Sequence, residues 1–308
     1  MKVYVIHENP DWYAPLAAAF DAAGVAHEQW LLGDGILDLD SEPPAGVFWS
    51  RMSASSHTRG HPLARDQARG VLSWLESHGR RVVNGRRVLE LEMSKVEQLT
   101  SLRAAGFDVP RTVAVTGSGE LAAAARKLPV PFISKHNQGG KGLGVALFAC
   151  HDEFDAYLAS PEYLPPVDGI TLLQEYLRAA EPVITRVEVV GGTFVYAITA
   201  DTARGGFQLC PADACAVDQA PGPGLFALRG DFDHPVIGRY LDFAGRHEIQ
   251  IAGFEFIETE DGRLVTYDVN TTTNYNAGIE AAAPRPALGA VAGFLGGLLA
   301  SETGRGRN

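Results

Sequence analysis

The 308-residue chain has little cysteine, no excess of positive charge and no very long apolar run. Its three cysteines, Cys150, Cys210 and Cys215, form no CxxC pair and no disulfide framework, which fits a reducing compartment. For Cys210 and Cys215, either side of residues 211–214, a metal pair or nucleophile is one reading and free buried thiols the other. Lys and Arg number 26 against 37 Asp and Glu, a formal net charge of −11. That balance argues against a general nucleic-acid or anionic-membrane binder. It leaves room for a local cradle of lysines and backbone N–H groups around an anionic ligand. The most apolar stretch, 287–300, is interrupted by glycines and is shorter than the ~20 residues that span a bilayer, so a packed C-terminal helix is expected. The N-terminus has no extended apolar region of the secretory kind. A cytoplasmic protein is expected, with no membrane and no nucleic-acid partner.

What is present is the ordinary composition of a globular protein, 46% hydrophobic and 20% charged, with enough length for two or three lobes. Short apolar runs at 2–6, 27–31, 46–49 and 81–83 alternate with helical spacing at 12–23 and 63–78. That alternation predicts a parallel sheet and an α/β lobe over 1–90. One helix is expected over 89–106. Beyond it, strands are expected at 111–115, 132–135, 144–148, 171–176, 186–190, 193–199, 251–258 and 263–270, with an Ala-rich helix at 120–128. Tight glycine turns at Gly191-Gly192 and Asp261-Gly262 indicate antiparallel hairpins, hence an α+β arrangement. The expected divisions are 1–90, 91–173 and 174–303, with a disordered tail at 304–308 and no internal repeat.

Three segments carry chemistry. In the first, FISKHNQGGKGLGV at 132–145, a strand delivers Lys135 into a loop with Gly139, Gly140, Lys141 and Gly142. The loop can be a plain turn or an anion cradle, and a lysine inside an apolar strand needs an anionic partner. A Walker A loop is excluded, because Lys141 is followed by Gly142 rather than Ser or Thr. The second segment, 253–276, folds about Glu260-Asp261-Gly262, with Glu255 on one arm and Asp268 and Asn270 on one face of the other. Two carboxylates and an amide oxygen form a hard, incomplete shell that suits Mg²⁺ bridging phosphates; the alternative is a solvated sheet face. The third, LLQEYL at 172–177, ends a strand with Gln174, Glu175 and Leu177, where backbone groups could meet an adenine edge or simply end a strand. A polar loop after the 46–49 strand offers Arg51 and His57 as substrate contacts, against a solvated connection. Asn274 and Asn276 could orient a substrate carboxylate or amine, or serve turn chemistry.

In this order and spacing, over about 49–280, the segments resemble the ATP-grasp superfamily, in its RimK-type and glutathione-synthetase-like carboxylate–amine ligase branch. The resemblance implies an ATP-grasp fold with an N-terminal parallel-sheet lobe, a central lid lobe and a C-terminal antiparallel-sheet lobe. It implies ATP and two Mg²⁺ ions as cofactors, with Mn²⁺ able to substitute. Lys95 and Lys135 would bind phosphates, with the lid loop including Lys141, and Gln174, Glu175 and Leu177 would form the adenine hinge. Glu255, Asp268 and Asn270 would hold the metals, and Arg186 would lie near the γ-phosphate or acyl group. The implied reaction passes through an acyl phosphate that an amine attacks, with amino-acid or peptide-like substrates and oligomeric state left open.

The chain also departs from that pattern. The two metal acids are exchanged in type, Glu255 before Asp268. Ile184 stands where a ribose-binding acid is usual, leaving Glu181 as a substitute. Gln208 and Cys210 replace an Arg and an Asn near the reacting groups, so Arg204 or Arg229 would have to supply the charge. Thr271-Thr272-Thr273 replaces Ser-Pro-Gly. The change at Gln208 and Cys210 motivates one alternative, a small-metabolite kinase; the other, a non-catalytic nucleotide-binding regulator, is opposed by the intact set of two lysines and three metal ligands.

Overall fold

A computed structural model describes residues 1–140, 142, 144–205 and 225–305. The N-terminal part runs β1 (Lys2–His7), α1 (Ala14–Ala22), β2 (His27–Leu31), β3 (Gly46–Ser50), α2 (Ala64–Ser77), β4 (Arg81–Val83) and α3 (Arg86–Met93). The four strands form a parallel sheet in the order β2-β1-β3-β4. Alternation within β1 and β3 sends Val3, Val5, Val47 and Trp49 to one face, against Leu16 and Phe20 of α1. Ile6 and Phe48 go to the other, against Val71, Leu72 and Leu75 of α2. Helices on both faces explain why these strands read as continuous apolar runs.

The middle part comprises α4 (Lys95–Ala104), β5 (Thr112–Thr116), α5 (Leu121–Ala125), β6 (Phe132–His136), β7 (Ala146–Phe148), α6 (His151–Leu158) and β8 (Ile170–Glu175). Its strands make an antiparallel sheet, β5-β8-β6-β7, backed by Leu121, Leu128 and Phe154. The C-terminal part comprises β9 (Val183–Val190), β10 (Thr193–Asp201), α7 (Thr202–Gly205), β11 (Phe226–Leu228), α8 (Val236–Arg246), β12 (Ile251–Glu258), β13 (Leu264–Asn270), α9 (Ala277–Ala282) and α10 (Ala287–Arg305). Its antiparallel sheet has the order β11-β10-β9-β12-β13, with the expected hairpins at Gly191-Gly192 and Asp261-Gly262.

Three differences from the sequence expectations affect the site. The helix expected over 89–106 is two helices broken at Ser94, whose backbone is extended (φ −135°, ψ 108°). Its Oγ accepts from Glu97 N at 3.3 Å, so a serine that reads as mid-helix works as an N-cap. Lys95 consequently starts a helix, and α3 and α4 pack through Val88, Leu91, Leu99 and Leu102 against Val187, Phe254 and Val269 of the C-terminal sheet. Second, α8 was not foreseen, although Val236, Tyr240, Phe243 and Ala244 lie at helical spacing and are buried. Third, Gly304 and Arg305 belong to α10 rather than to a disordered tail, and residues 306–308 lie outside the described residues. α10 is long and apolar enough to cross a membrane by length and composition. In the fold its Ala287, Val291, Ala292 and Leu295 are buried, the last three against the α1 face of the N-terminal sheet.

Candidate active site

A cavity of about 680 Å³ lies between the central and C-terminal sheets, bordered by the loop after β3. Its two ends differ in chemistry. One end is walled by Ile133, Leu177, Val183, Ile184 and Ile257, with the 174–179 backbone beside them. The other gathers Lys95, Lys135, Glu92, Glu255, Asp268 and Asn270.

At the charged end, β12 and β13 pair so that Glu255 stands directly opposite Asp268 and Gly253 opposite Asn270, through a register shift between Glu255 and Phe256. Asp268 Oδ1 accepts from Lys95 Nζ at 2.5 Å. Burial pushes Asp268 up, but Lys95, with Lys135 and Arg186, more than reverses this and leaves it below the usual carboxylate range. Glu255 shows the opposite balance: burial raises it, and Arg186 only partly offsets the shift. Glu255 Oε2 also accepts from the Tyr267 hydroxyl at 2.9 Å. Asn270 Oδ1 accepts from Thr272 N at 2.9 Å, so the amide also shapes the turn that follows.

Lys135 is 6% exposed on β6 and has no hydrogen-bond partner among the described residues. Burial, then the like charge of Lys95, lowers its pKa to about 7. An isolated buried ammonium costs several kcal/mol, whereas phosphate oxygens in the cavity would remove that penalty. Gln174 is also buried, and its Oε1 meets no donor at the apolar end. These two groups, with the facing carboxylates, fit a ligand that carries an anion at one end and a flat polar edge at the other. Among the described residues no three His, Cys, Asp or Glu side chains gather as a metal cluster. A cation between Glu255 and Asp268 would therefore need ligand oxygens to complete its shell.

Behind this wall, Arg186 is 1% exposed and sits outside the cavity lining. Its Nε lies 2.6 Å from Glu188, its Nη1 3.4 Å from Glu255, and its Nη2 donates to Thr273 Oγ1 at 2.8 Å. A Cβ at Gly253 would run into the guanidinium, so glycine makes room for it. Arg186 thus holds Glu255 rather than projecting into the cavity.

Of the other expected residues, Gly139, Gly140, Gly142, Glu175 and Asn274 line the cavity, and Lys141 lies outside the described residues. Glu175 Oε1 accepts from Arg111 N at 2.8 Å, which fixes the strand end. Arg51 is buried behind Asn274, and His57 stands on the turn Ser56–Arg59, outside the cavity lining. Asn276 caps α9, accepting from Gly278 N and Ile279 N, which is turn chemistry. Glu181 and Arg204 are exposed and outside the lining. Gln208, Cys210 and Cys215 lie outside the described residues, and Cys150 is an exposed free thiol.

One cavity residue, Glu92, and one residue behind its wall, Glu188, are not marked as site residues by the sequence. Glu92 accepts from Thr271 N at 2.9 Å and Thr271 Oγ1 at 2.8 Å, and burial raises it to about 7. In RRVLELEM it reads as an ordinary helix acid, so no signal marked it. Glu188 did carry one: it lies two residues after Arg186 on one strand, hence on the same face.

No protein-family model and no curated protein matches the sequence. Solved structures do match in fold. A RimK domain ATP-grasp protein from Sphaerobacter thermophilus DSM 20745 is similar with a TM-score of 0.69 and 18% identity, over 96% of this chain and 99% of that one. D-cycloserine synthetase DcsG gives 0.66 and 18%, over 96% and 99%. The ATP-grasp ligase PsnB, complexed with a minimal precursor, Mg and ADP, gives 0.63 and 15%, over 98% and 97%.

Proposed function

The chain has the ATP-grasp fold, and from that premise we propose that it is an ATP- and Mg²⁺-dependent ligase joining a carboxylate to an amine, acting on amino-acid or peptide-like substrates. The observation that carries the proposal is one cavity that holds two lysines against a facing Glu255–Asp268 pair and ends in an apolar slot beside Gln174. PsnB's complex with Mg and ADP supports the choice of cofactors.

Lys135 and Lys95 would neutralise phosphate oxygens, relieving the unpaired charge of the first. Glu255, Asp268 and Asn270 would hold Mg²⁺, with Arg186 fixing the Glu255 carboxylate from behind. The Gly139–Gly140 loop would close over the reacting groups and keep water from an acyl phosphate. Mg²⁺-ATP supplies the phosphoryl group: its transfer to the carboxylate releases ADP, and amine attack on the acyl carbon then releases phosphate and a proton.

The test is ADP and phosphate release with Mg²⁺-ATP against amino acids and short peptides, singly and in pairs, with hydroxylamine in a parallel set. Release that requires two partners, with hydroxamate formed, supports the ligase; release with one partner and no hydroxamate points to a kinase. Asp268→Asn should abolish turnover with the fold nearly intact, and normal ADP release by that variant would refute the metal assignment.

A further inference from the structure

We infer that Asn274 receives the carboxylate of the acyl substrate and that Arg51 is the positioning residue that turns the amide toward it; this rests on the ligase function proposed above. Arg51 follows β3 and is 1% exposed. Its Nη2 donates to Thr273 O at 2.6 Å and to Asn274 Oδ1 at 2.9 Å. A guanidinium has donors and no acceptor, so the amide atom facing it must be the oxygen. That contact fixes the Asn274 orientation and leaves its NH₂ for the cavity, which Asn274 lines. No protein acceptor meets Nδ2 among the described residues, so this donor is available to a ligand.

The electrostatics around the turn 272–274 favour an anion. Arg51 donates to the Thr273 carbonyl, and Arg186 donates to the Thr273 hydroxyl at 2.8 Å. Of these two guanidinium groups, Arg186 is already paired with Glu188 and Glu255, so the uncompensated charge behind the turn is that of Arg51. Arg51 Nε and Nη1 are buried without hydrogen-bond partners, and its carbon lies 5.1 Å from the Trp49 ring centroid. Its direct hydrogen-bond partners are neutral oxygens, so its charge is not cancelled by a carboxylate at contact. A donor amide polarised by such a cation binds an anionic oxygen more strongly than a neutral one. Thr272 Oγ1 donates to Met52 O at 3.1 Å, tying the turn to the loop whose Ser53 and Ser55 also line the cavity. The placement beside Asn270 and Asp268 puts a carboxylate held there next to the phosphate-binding end.

The experiment follows the Asn274 side-chain amide by nitrogen–proton NMR on the full chain, assigned by its disappearance in Asn274→Asp. Sodium acetate is titrated against sodium chloride at matched ionic strength. A saturable shift with acetate alone is expected in the wild type, lost in Arg51→Met and reduced in Arg51→Lys, a variant that retains a buried cation should the first fail to fold. An amide that acetate leaves unmoved, or moves equally in the Arg51 variants, overturns the inference. Parallel Mg²⁺-AMPPNP binding separates the two levels. A wild-type protein that binds no nucleotide sinks the ligase reading and this inference together, whereas an inert amide in a nucleotide-binding protein sinks the inference alone.

Discussion

Two buried cations, Lys135 on β6 and Arg186 on β9, belong to sheets on opposite sides of the same cavity and are treated in opposite ways. Arg186 is enclosed by Glu188, Glu255 and Thr273, and its donors are used within the protein. Lys135 has only electrostatic neighbours, and burial lowers its pKa to about 7. The choice of residue follows the task. A planar guanidinium suits fixed pairing with two carboxylates, whereas a compact ammonium on a flexible stem suits a ligand that comes and goes. One cation braces a carboxylate; the other faces the open cavity, where we propose that it serves as a socket.

Removing the brace should have the largest effect. Arg186→Met leaves Glu188 and Glu255 buried without their cation and is expected to cost about 3–5 kcal/mol in urea unfolding. A loss under about 1 kcal/mol would show that the two carboxylates do not depend on Arg186. Removing the socket should act in the other direction. Lys135→Met is expected to raise the melting temperature of the ligand-free protein by a few degrees while lowering Mg²⁺-nucleotide affinity at least about tenfold, about 1.4 kcal/mol. A variant that is less stable than wild type yet binds nucleotide normally would erase the contrast.

The same contrast has a pH signature. Lys135 titrates near 7 in the folded chain, below its unfolded value of 10.5. Between those values the unfolded state binds more protons, so this group makes stability rise with pH over that window; below about 7 its penalty is fully present. Comparing the ligand-free wild type with Lys135→Met from pH 7 to 10 should show the wild type gaining on the variant. A constant gap would mean that Lys135 keeps an ordinary pKa.

The smallest effect concerns the joint between the two regions. Gln98 Nε2 donates to Leu91 O at 3.0 Å and Val269 O at 2.9 Å, and its Oε1 accepts from Val269 N at 3.1 Å. It ties the α3–α4 break to the β12–β13 hairpin. Gln98→Ala should cost about 1 kcal/mol, because it removes hydrogen bonds to buried backbone groups. Hydrogen exchange at Val269 should then quicken; unchanged exchange would remove Gln98 from this role.

Local patterns carried most of the fold. Strands β2, β4 and β12 fall where their apolar runs placed them, because alternation and turn residues act within a few positions. The hairpin was also legible from its Gly262 turn, but the facing of Glu255 and Asp268 was not: a register shift between Glu255 and Phe256 puts Asp268, rather than Tyr267, opposite Glu255. The Ser94 break was not, because one serine inside a helical run is neutral until tertiary packing makes it a cap.

The sequence by itself therefore determined the three sheets, the glycine loop and the acid hairpin, all governed by spacing along the chain. Only the tertiary structure decided which charged groups are satisfied internally and which face the cavity. It turned Arg51 from a substrate contact into a support for Asn274 across more than two hundred residues, brought Glu92 into the cavity, and gave Asn276 to a helix cap. Burial and pairing are properties of what surrounds a residue in space, and a linear pattern carries no information on neighbours so distant in the chain.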